Sequence, residues 1–130
     1  VFAIMAGVYY WLPKWTGHMY DMALAKLHFW ASAIFVNVLF FPQHFLGLAG
    51  MPRRIPDYST QFADWNMVSS IGAFGFGLSQ LLFVYIIWKC ARSGAPASAV
   101  VWDDARTTSL EWTVPSPAPY HTFDEAPVVK

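Results

Sequence analysis

The sequence predicts an all-α integral membrane fold, because the chain is poor in charge and contains two long uncharged stretches. Charged residues make up 12% of the 130 residues and hydrophobic residues 56%, whereas soluble domains carry about 25% charged residues. The stretches 27–52 and 65–88 contain no formal charge. As helices they reach about 39 Å and about 36 Å, more than the hydrocarbon layer of about 30 Å. We therefore predict two full transmembrane helices.

The first element is a shorter apolar stretch, residues 1–12, which reaches only about 18 Å as a helix. It has no initiator methionine, no basic n-region and no small-residue cleavage site, so it does not fit a signal peptide. We expect the chain to begin in the middle of a helix, as the C-terminal part of a larger protein or one piece of a split protein. Residues 1–92 are therefore interpreted as one partial and two full spans.

The second element, 27–52, carries a proline and two histidines. Pro42 is expected to kink the helix and to free the backbone carbonyl of Val38. His28 and His44 lie about 24 Å apart along one helix, so they cannot share a metal ion. We interpret both as hydrogen-bonded structural histidines and assign no metal ligand in this chain.

The third element, 65–88, contains small residues at a spacing of four, which lets a neighbouring helix approach closely. The stripe consists of Ser69, Ala73 and Gly77, and Gly75 and Ser79 repeat the spacing. We expect added side-chain volume at Gly77 to push the helices apart.

The last element, 93–130, is predicted to be an extended polar tail. Its prolines favour a polyproline-like course, and it is too short to form a core of its own. Aromatic residues favour docking onto a partner or onto the same subunit, and a disordered tail is the alternative. The prolines are Pro115, Pro117 and Pro119, and the aromatic residues are Trp102, Trp112, Tyr120 and Phe123.

Basic residues near the span ends predict the orientation. Lys14, Lys26, Lys89 and Arg92 flank one side, which the positive-inside rule places in the cytoplasm or the mitochondrial matrix. The 13–26 loop and the tail then lie inside. The net charge of zero argues against a nucleic-acid-binding protein.

Arg53 and Arg54 lie on the other side and form the candidate binding site. Two arginines at a membrane surface are often held by lipid headgroups alone. Here Pro52 and Pro56 restrict the loop around them. Arginine is also the residue suited to bidentate recognition of carboxylate or phosphate. The sequence therefore predicts a fixed anion site on the outer face, with no catalytic residue assigned.

Specific motifs carry a family resemblance over essentially the whole chain. FFPQHFLGLAGMPRR is followed by DY and WNMVSSIG, and LEWTVPSPAPYHTFDE lies near the end. Together they resemble the C-terminal third of subunit I of the haem–copper cytochrome c oxidases, and the tail is most similar to proteobacterial members. The resemblance implies that the three spans are the last three of a twelve-helix bundle.

The resemblance also implies cofactors and a role for the arginine pair. In this family the MPRR loop binds the propionates of two haems, and its two arginines match Arg53 and Arg54. The axial histidines and copper ligands belong to sequence preceding Val1. The implied reaction is electron transfer from cytochrome c to dioxygen with proton pumping, which this part alone would not catalyse.

Implied partners are the remainder of subunit I, oxidase subunits II and III, cytochrome c and membrane lipid, with no nucleic acid. The implied location is the bacterial inner membrane, or the mitochondrial inner membrane for a eukaryotic source. Two other classes remain open. One is an anion transporter with the arginine pair at its outer gate, which would lack haem absorbance. The other is a non-catalytic accessory membrane subunit that only packs through its glycine-rich helix. The arginine pair argues against this class, because helix packing does not need a charged pair at that position.

Overall fold

A computed structural model describes residues 1–102 and 109–127 and contains three α-helices and one pair of short strands. Two of the helices are long and apolar enough to cross a membrane, which confirms the prediction of a helical chain with two membrane-span candidates. The predicted tail includes residues 103–108 and 128–130, which lie outside the described part. The elements are α1 (Phe2–Thr16), β1 (His18–Met19), α2 (Met22–Leu48), α3 (Ala63–Ser93) and β2 (Ala95–Pro96), with short 3-10 helices at Thr60–Phe62 and Leu110–Trp112.

The helix ends differ from the uncharged stretches, and a glycine rather than a charge lies within two residues of each helix C-terminus. Helix α1 continues to Thr16 and stops at Gly17, whose φ of 72° suits glycine and whose N–H donates to the Pro13 carbonyl at 2.9 Å. Helix α3 continues to Ser93, past Lys89 and Arg92, and stops before Gly94. Basic residues in a last turn are compatible with the helix dipole, so they did not end α3.

The described chain divides into two compact units. One comprises Met22–Tyr85, and the other comprises residues 1–21 with the described residues from 86 onward. In the first unit, α2 and α3 run antiparallel and in close contact, and the loop 49–62 joins them at one end. Its buried residues include Leu46, Phe62, His28, Ser32, Ser69 and Ser79.

The close contact between α2 and α3 involves part of the predicted stripe, because Ser69, Gly75 and Ser79 are buried. Ala73 and Gly77 are exposed, and a Cβ added at Gly77 would meet nothing within 4 Å. A Cβ on Gly72 would lie 2.7 Å from the backbone of Leu39. The Ser32 and Ser79 hydroxyls are 2.9 Å apart across the same interface. Ala73 and Gly77 therefore lie on a face of α3 that does not contact α2, and their close contact with another neighbouring helix stays a prediction.

Helix α2 is continuous through Pro42. Next to this proline the Ser69 hydroxyl of α3 donates to the Leu39 carbonyl at 2.7 Å, and the Gln43 amide donates to Ser69 at 2.7 Å. The interhelical hydrogen bond is therefore accepted by the Leu39 carbonyl, and not by the Val38 carbonyl that the proline was expected to free.

The two histidines of α2 have separate surroundings. His28 is 2% exposed and stacks on Phe83 with ring centroids 5.1 Å apart. His44 is exposed, and its Nδ1 lies 3.2 Å from the Phe40 carbonyl. Among the described residues, no group of three or more His, Cys, Asp or Glu side chains could hold a metal ion.

The second unit joins the end of α1 to the tail. The Lys14 ammonium, on a side chain only 5% exposed, donates to the carbonyls of Val114 at 2.7 Å and Ala99 at 3.0 Å. It also lies 4.9 Å from the centre of the Trp112 ring. Burial lowers the pKa of Lys14, and the carboxylate of Glu111 acts in the opposite direction. The ammonium thus exchanges water for two carbonyls and an aromatic face.

Aromatic contacts complete the attachment of the tail. The Trp112 indole donates to the Tyr10 hydroxyl at 2.9 Å, and the Trp102 indole donates to the Tyr10 carbonyl at 3.1 Å. Strands β1 and β2 pair antiparallel, with His18 opposite Pro96. The described tail residues therefore pack on the segment that contains α1.

Candidate functional site

The candidate site lies in the loop that follows α2, and a helix cap fixes where this loop begins. Gly50 has a φ of 89°, and the Met51 N–H donates to the Leu46 carbonyl at 3.0 Å. The Gly50 N–H donates to the Gly47 carbonyl at 3.1 Å. This pair of bonds is a Schellman motif, which reverses the chain direction at the end of α2. The arginines thus begin three residues after a rigid turn.

The loop is also tied to α3 and contains one unusual backbone conformation. The Asn66 amide donates to the Phe62 carbonyl at 2.9 Å and approaches the Met51 sulfur at 3.5 Å. Arg54 has a backbone φ of 57°, which lies in the left-handed region that residues other than glycine rarely adopt. Such conformations cost about 1–3 kcal/mol and concentrate at binding sites.

A cavity of about 860 Å³ opens beside the arginine pair. That volume lies within the range of about 300–1,000 Å³ typical of small-molecule and cofactor sites. Most of the wall is apolar and comes from the last turns of α2, while the loop contributes the two guanidinium groups. The lining residues are Phe40, Gln43, His44, Leu46, Gly47, Leu48, Met51, Pro52, Arg53, Arg54 and Ile55.

The charge of the cavity is unbalanced. Among the described residues, its lining contains two arginines and no carboxylate. Across residues 1–102 and 109–127, neither Arg53 nor Arg54 forms an ion pair, and the ion pair found in this part joins Lys89 to Asp21. Two guanidinium groups beside an apolar wall offer several hydrogen-bond donors to an anion attached to an apolar body.

The structure brings the two predicted site residues together at one cavity, and it adds residues that sequence reasoning did not assign to the site. Phe40, Gln43, His44 and Gly47 are spaced as i, i+3, i+4 and i+7, so they share one face of α2. That spacing is a signal available in the sequence. The left-handed conformation of Arg54 had no such signal, because Arg54 is neither Gly nor Asn.

Comparison with known proteins agrees with the motifs. The family model described as cytochrome c and quinol oxidase polypeptide I matches residues 1–75. The chain is 46% identical over 127 residues to the cytochrome c oxidase subunit 1 of Cereibacter sphaeroides, a match that covers 98% of this chain and 22% of that protein. It is 44% identical to a putative cytochrome c oxidase subunit 1-beta of Streptomyces avermitilis, with 100% of this chain and 23% of that protein covered.

The chain therefore spans about a fifth of the length of the curated relatives that it matches, 22% and 23% in these two cases. The match covers both membrane-span candidates, the arginine loop and the tail, as the motifs predicted. The chain belongs to the family of cytochrome c and quinol oxidase polypeptide I.

Proposed function

We propose that this chain is the C-terminal part of subunit I of a cytochrome c oxidase, and that it helps to enclose the haems and binds their propionates. The complete enzyme would transfer electrons from cytochrome c to dioxygen, form water and pump protons. The cavity carries the proposal, because two guanidinium groups stand beside an apolar wall and form no ion pair with a carboxylate of the described residues. The family match does not favour an anion transporter.

The residues around the cavity fit a haem edge. A haem has an apolar macrocycle and two carboxylates, which correspond to the wall of Phe40, Leu46 and Ile55 and to the guanidinium groups of Arg53 and Arg54. When bound, the haem supplies one-electron and dioxygen chemistry. This chain would hold the carboxylates and limit access of water. Axial and copper ligands would come from the rest of the subunit.

Replacing either arginine with glutamine is expected to lower a haem midpoint potential by tens of millivolts, because a fixed positive charge stabilises the reduced state. One charge at about 10 Å in an effective dielectric of about 20 is worth about 1.7 kcal/mol before solvent screening reduces it. Protonation of an unpaired propionate also reduces the shift. The measurement is a spectroelectrochemical titration of Arg53→Gln and Arg54→Gln in the purified enzyme.

Two further variants separate charge from backbone strain. Arg54→Gly removes the charge but suits the left-handed φ of 57°, so it should shift the potential as Arg54→Gln does and destabilise the loop less. Arg92→Gln, at the far end of α3, is the control and should leave the potential unchanged. Midpoints equal to wild type in both glutamine variants would show that the pair does not hold propionates.

The proposed location is the bacterial inner membrane, with the arginine loop on the periplasmic side, opposite Lys14 and Lys89. In sealed cells, an impermeant thiol reagent should label Tyr58→Cys and spare Ser93→Cys. The native Cys90 is 1% exposed and gives little background. Labelling at position 93 without labelling at position 58 would show that the orientation is opposite to the proposed one. The proposed partners are the remainder of subunit I, subunits II and III, and cytochrome c.

A further inference from the structure

A second cavity, of about 240 Å³, lies in the unit formed by the two ends of the chain. It is smaller than the range of about 300–1,000 Å³ typical of whole drug-sized ligands, so it suits a small polar group. The residues around it come from the segment before α2 and from the end of α3. They are Met19, Tyr20, Asp21, Lys89, Cys90, Ser93, Gly94 and Ala95.

Among the described residues, the polar side chains of this cavity supply one positive charge, one negative charge, two hydroxyls and the Cys90 thiol, which donates to the His18 carbonyl at 3.1 Å. The Lys89 ammonium lies 3.0 Å from the Asp21 carboxylate, and both side chains are more than a third exposed. The hydroxyls belong to Ser93 and to Tyr20, which is 7% exposed. Burial, and then the nearby Cys90, raise the pKa of Tyr20, so its hydroxyl stays protonated at neutral pH.

This arrangement selects the charge of a ligand. A purely anionic group would approach Lys89 but would also face the Asp21 carboxylate, and a cation would meet the opposite problem. A zwitterionic ligand can lie antiparallel to the ion pair, with its negative group on Lys89 and its positive group on Asp21 at the same time. The pair would thereby keep both charges balanced.

The cavity also lies at the depth expected of a lipid headgroup. It includes the last residues of α3, at the end of a candidate membrane span. Trp15 and Trp88 in the same unit are 59% and 52% exposed. Tryptophan is enriched where hydrocarbon meets headgroups, and its ring gives acyl chains an apolar surface there.

We infer that this cavity binds the headgroup of phosphatidylethanolamine. Its phosphate would accept hydrogen bonds from Lys89 and from Ser93, whose hydroxyl would turn away from the Lys89 carbonyl to which it donates at 3.2 Å. Its primary ammonium would donate to the Asp21 carboxylate. Phosphatidylcholine has the same two charges but a quaternary ammonium without N–H donors. Phosphatidylglycerol has no positive group to balance Asp21. The site therefore distinguishes ethanolamine from the other two headgroups.

The test is native mass spectrometry of the delipidated membrane complex that contains this chain, titrated with the three lipids on identical acyl chains. Wild type is expected to bind one phosphatidylethanolamine about tenfold more tightly than either other lipid. Lys89→Gln should remove that preference. Asp21→Asn should change the preference to phosphatidylglycerol, since the Asp21 carboxylate then no longer opposes an anionic headgroup. A merely structural role of the ion pair would not exchange one headgroup for another.

Arg92→Gln is the matched control, because Arg92 lies on the same helix end outside the cavity and contacts the Trp88 ring, 5.3 Å away. It should keep the ethanolamine preference. A photoactivatable phosphatidylethanolamine should crosslink wild type within residues 19–21 or 89–95, a readout that needs no variant. Crosslinks confined to other segments, or an Asp21→Asn complex with the wild-type preference, would overturn the inference.

Discussion

Gly72→Ala is expected to separate α2 from α3 and to prevent normal assembly of the protein. A Cβ at position 72 would lie 2.7 Å from both the Leu39 Cα and the Val38 carbonyl carbon, and no rotamer change moves a main-chain atom. Overpacking of this kind costs about 1–3 kcal/mol and sometimes more. In a membrane the loss of close helix contact is not offset by a hydrophobic driving force between helices. Thermal stability and haem content of the purified complex would measure the effect.

Gly77→Ala provides the control for this prediction, because the substitution is the same and the helix is the same. A Cβ at position 77 meets nothing within 4 Å in the described structure, and alanine favours a helix by about 1 kcal/mol over glycine. Gly75→Ala is intermediate, since its Cβ would meet the Phe35 side chain, with Cγ at 2.6 Å. Phe35→Leu should partly restore that variant but not Gly72→Ala. Equal stability of the position 72 and 77 variants would contradict the interface.

Lys14→Met is expected to release the described tail from α1. Methionine keeps the apolar stem but removes the ammonium, which leaves the carbonyls of Val114 and Ala99 without this donor. A buried acceptor without a partner costs about 1–3 kcal/mol, which applies to the buried Val114 carbonyl, and the part-buried Ala99 carbonyl adds less. The measurement is the rate of limited proteolysis within residues 109–127, and cleavage should become faster by at least tenfold.

Lys26→Met is the matched control, because Lys26 is exposed on α2 and the substitution is identical. It should leave the cleavage rate near wild type. Lys14→Arg keeps the charge and is expected to retain part of the protection, although the larger guanidinium must fit the same space. If Lys14→Met and Lys26→Met were cleaved equally slowly, the three contacts of the ammonium would not hold the tail.

The sequence was sufficient to predict two membrane-span candidates, because a long run without charged residues can be read directly from it. It did not predict the residues at which these helices begin and end. Charges were taken as limits, yet α2 begins at Met22, before Lys26, and α3 continues past Lys89. A charged side chain does not end an α-helix when it can extend towards water. The informative signal was glycine, because Gly17, Gly50 and Gly94 follow the three helices.

Only part of the predicted small-residue stripe meets α2, and this has a geometric reason. With 3.6 residues per turn, positions four apart drift by about 40° at each step, so Ser69, Ala73 and Gly77 leave the face on which they begin. Alternating steps of three and four keep to one face. Ser69 and Gly72 follow that rule, and so does Ser79, and all three are buried. The sequence alone could not say which of the small residues of α3 meet α2.

The arginine pair was predicted to be an anion site from sequence because its residue type, position and flanking prolines all pointed to an anion. The shape of the site depends on contacts between distant residues and was not predictable in that way. The bond from Asn66 to the Met51 sulfur is one such contact. The left-handed backbone of Arg54 is a second, since its own residue type disfavours it.

The pairing of β1 with β2 has a consequence for the order of events during biosynthesis. His18 and Met19 leave the ribosome before both membrane-span candidates, whereas their partners Pro96 and Ala95 emerge only after them. The pairing must therefore form after α2 and α3 have been synthesised. A nascent chain arrested before residue 95 would present the 17–21 segment without its strand partner, open to proteases and chaperones. Pairing of β1 with β2 can therefore occur only after both membrane-span candidates have been synthesised.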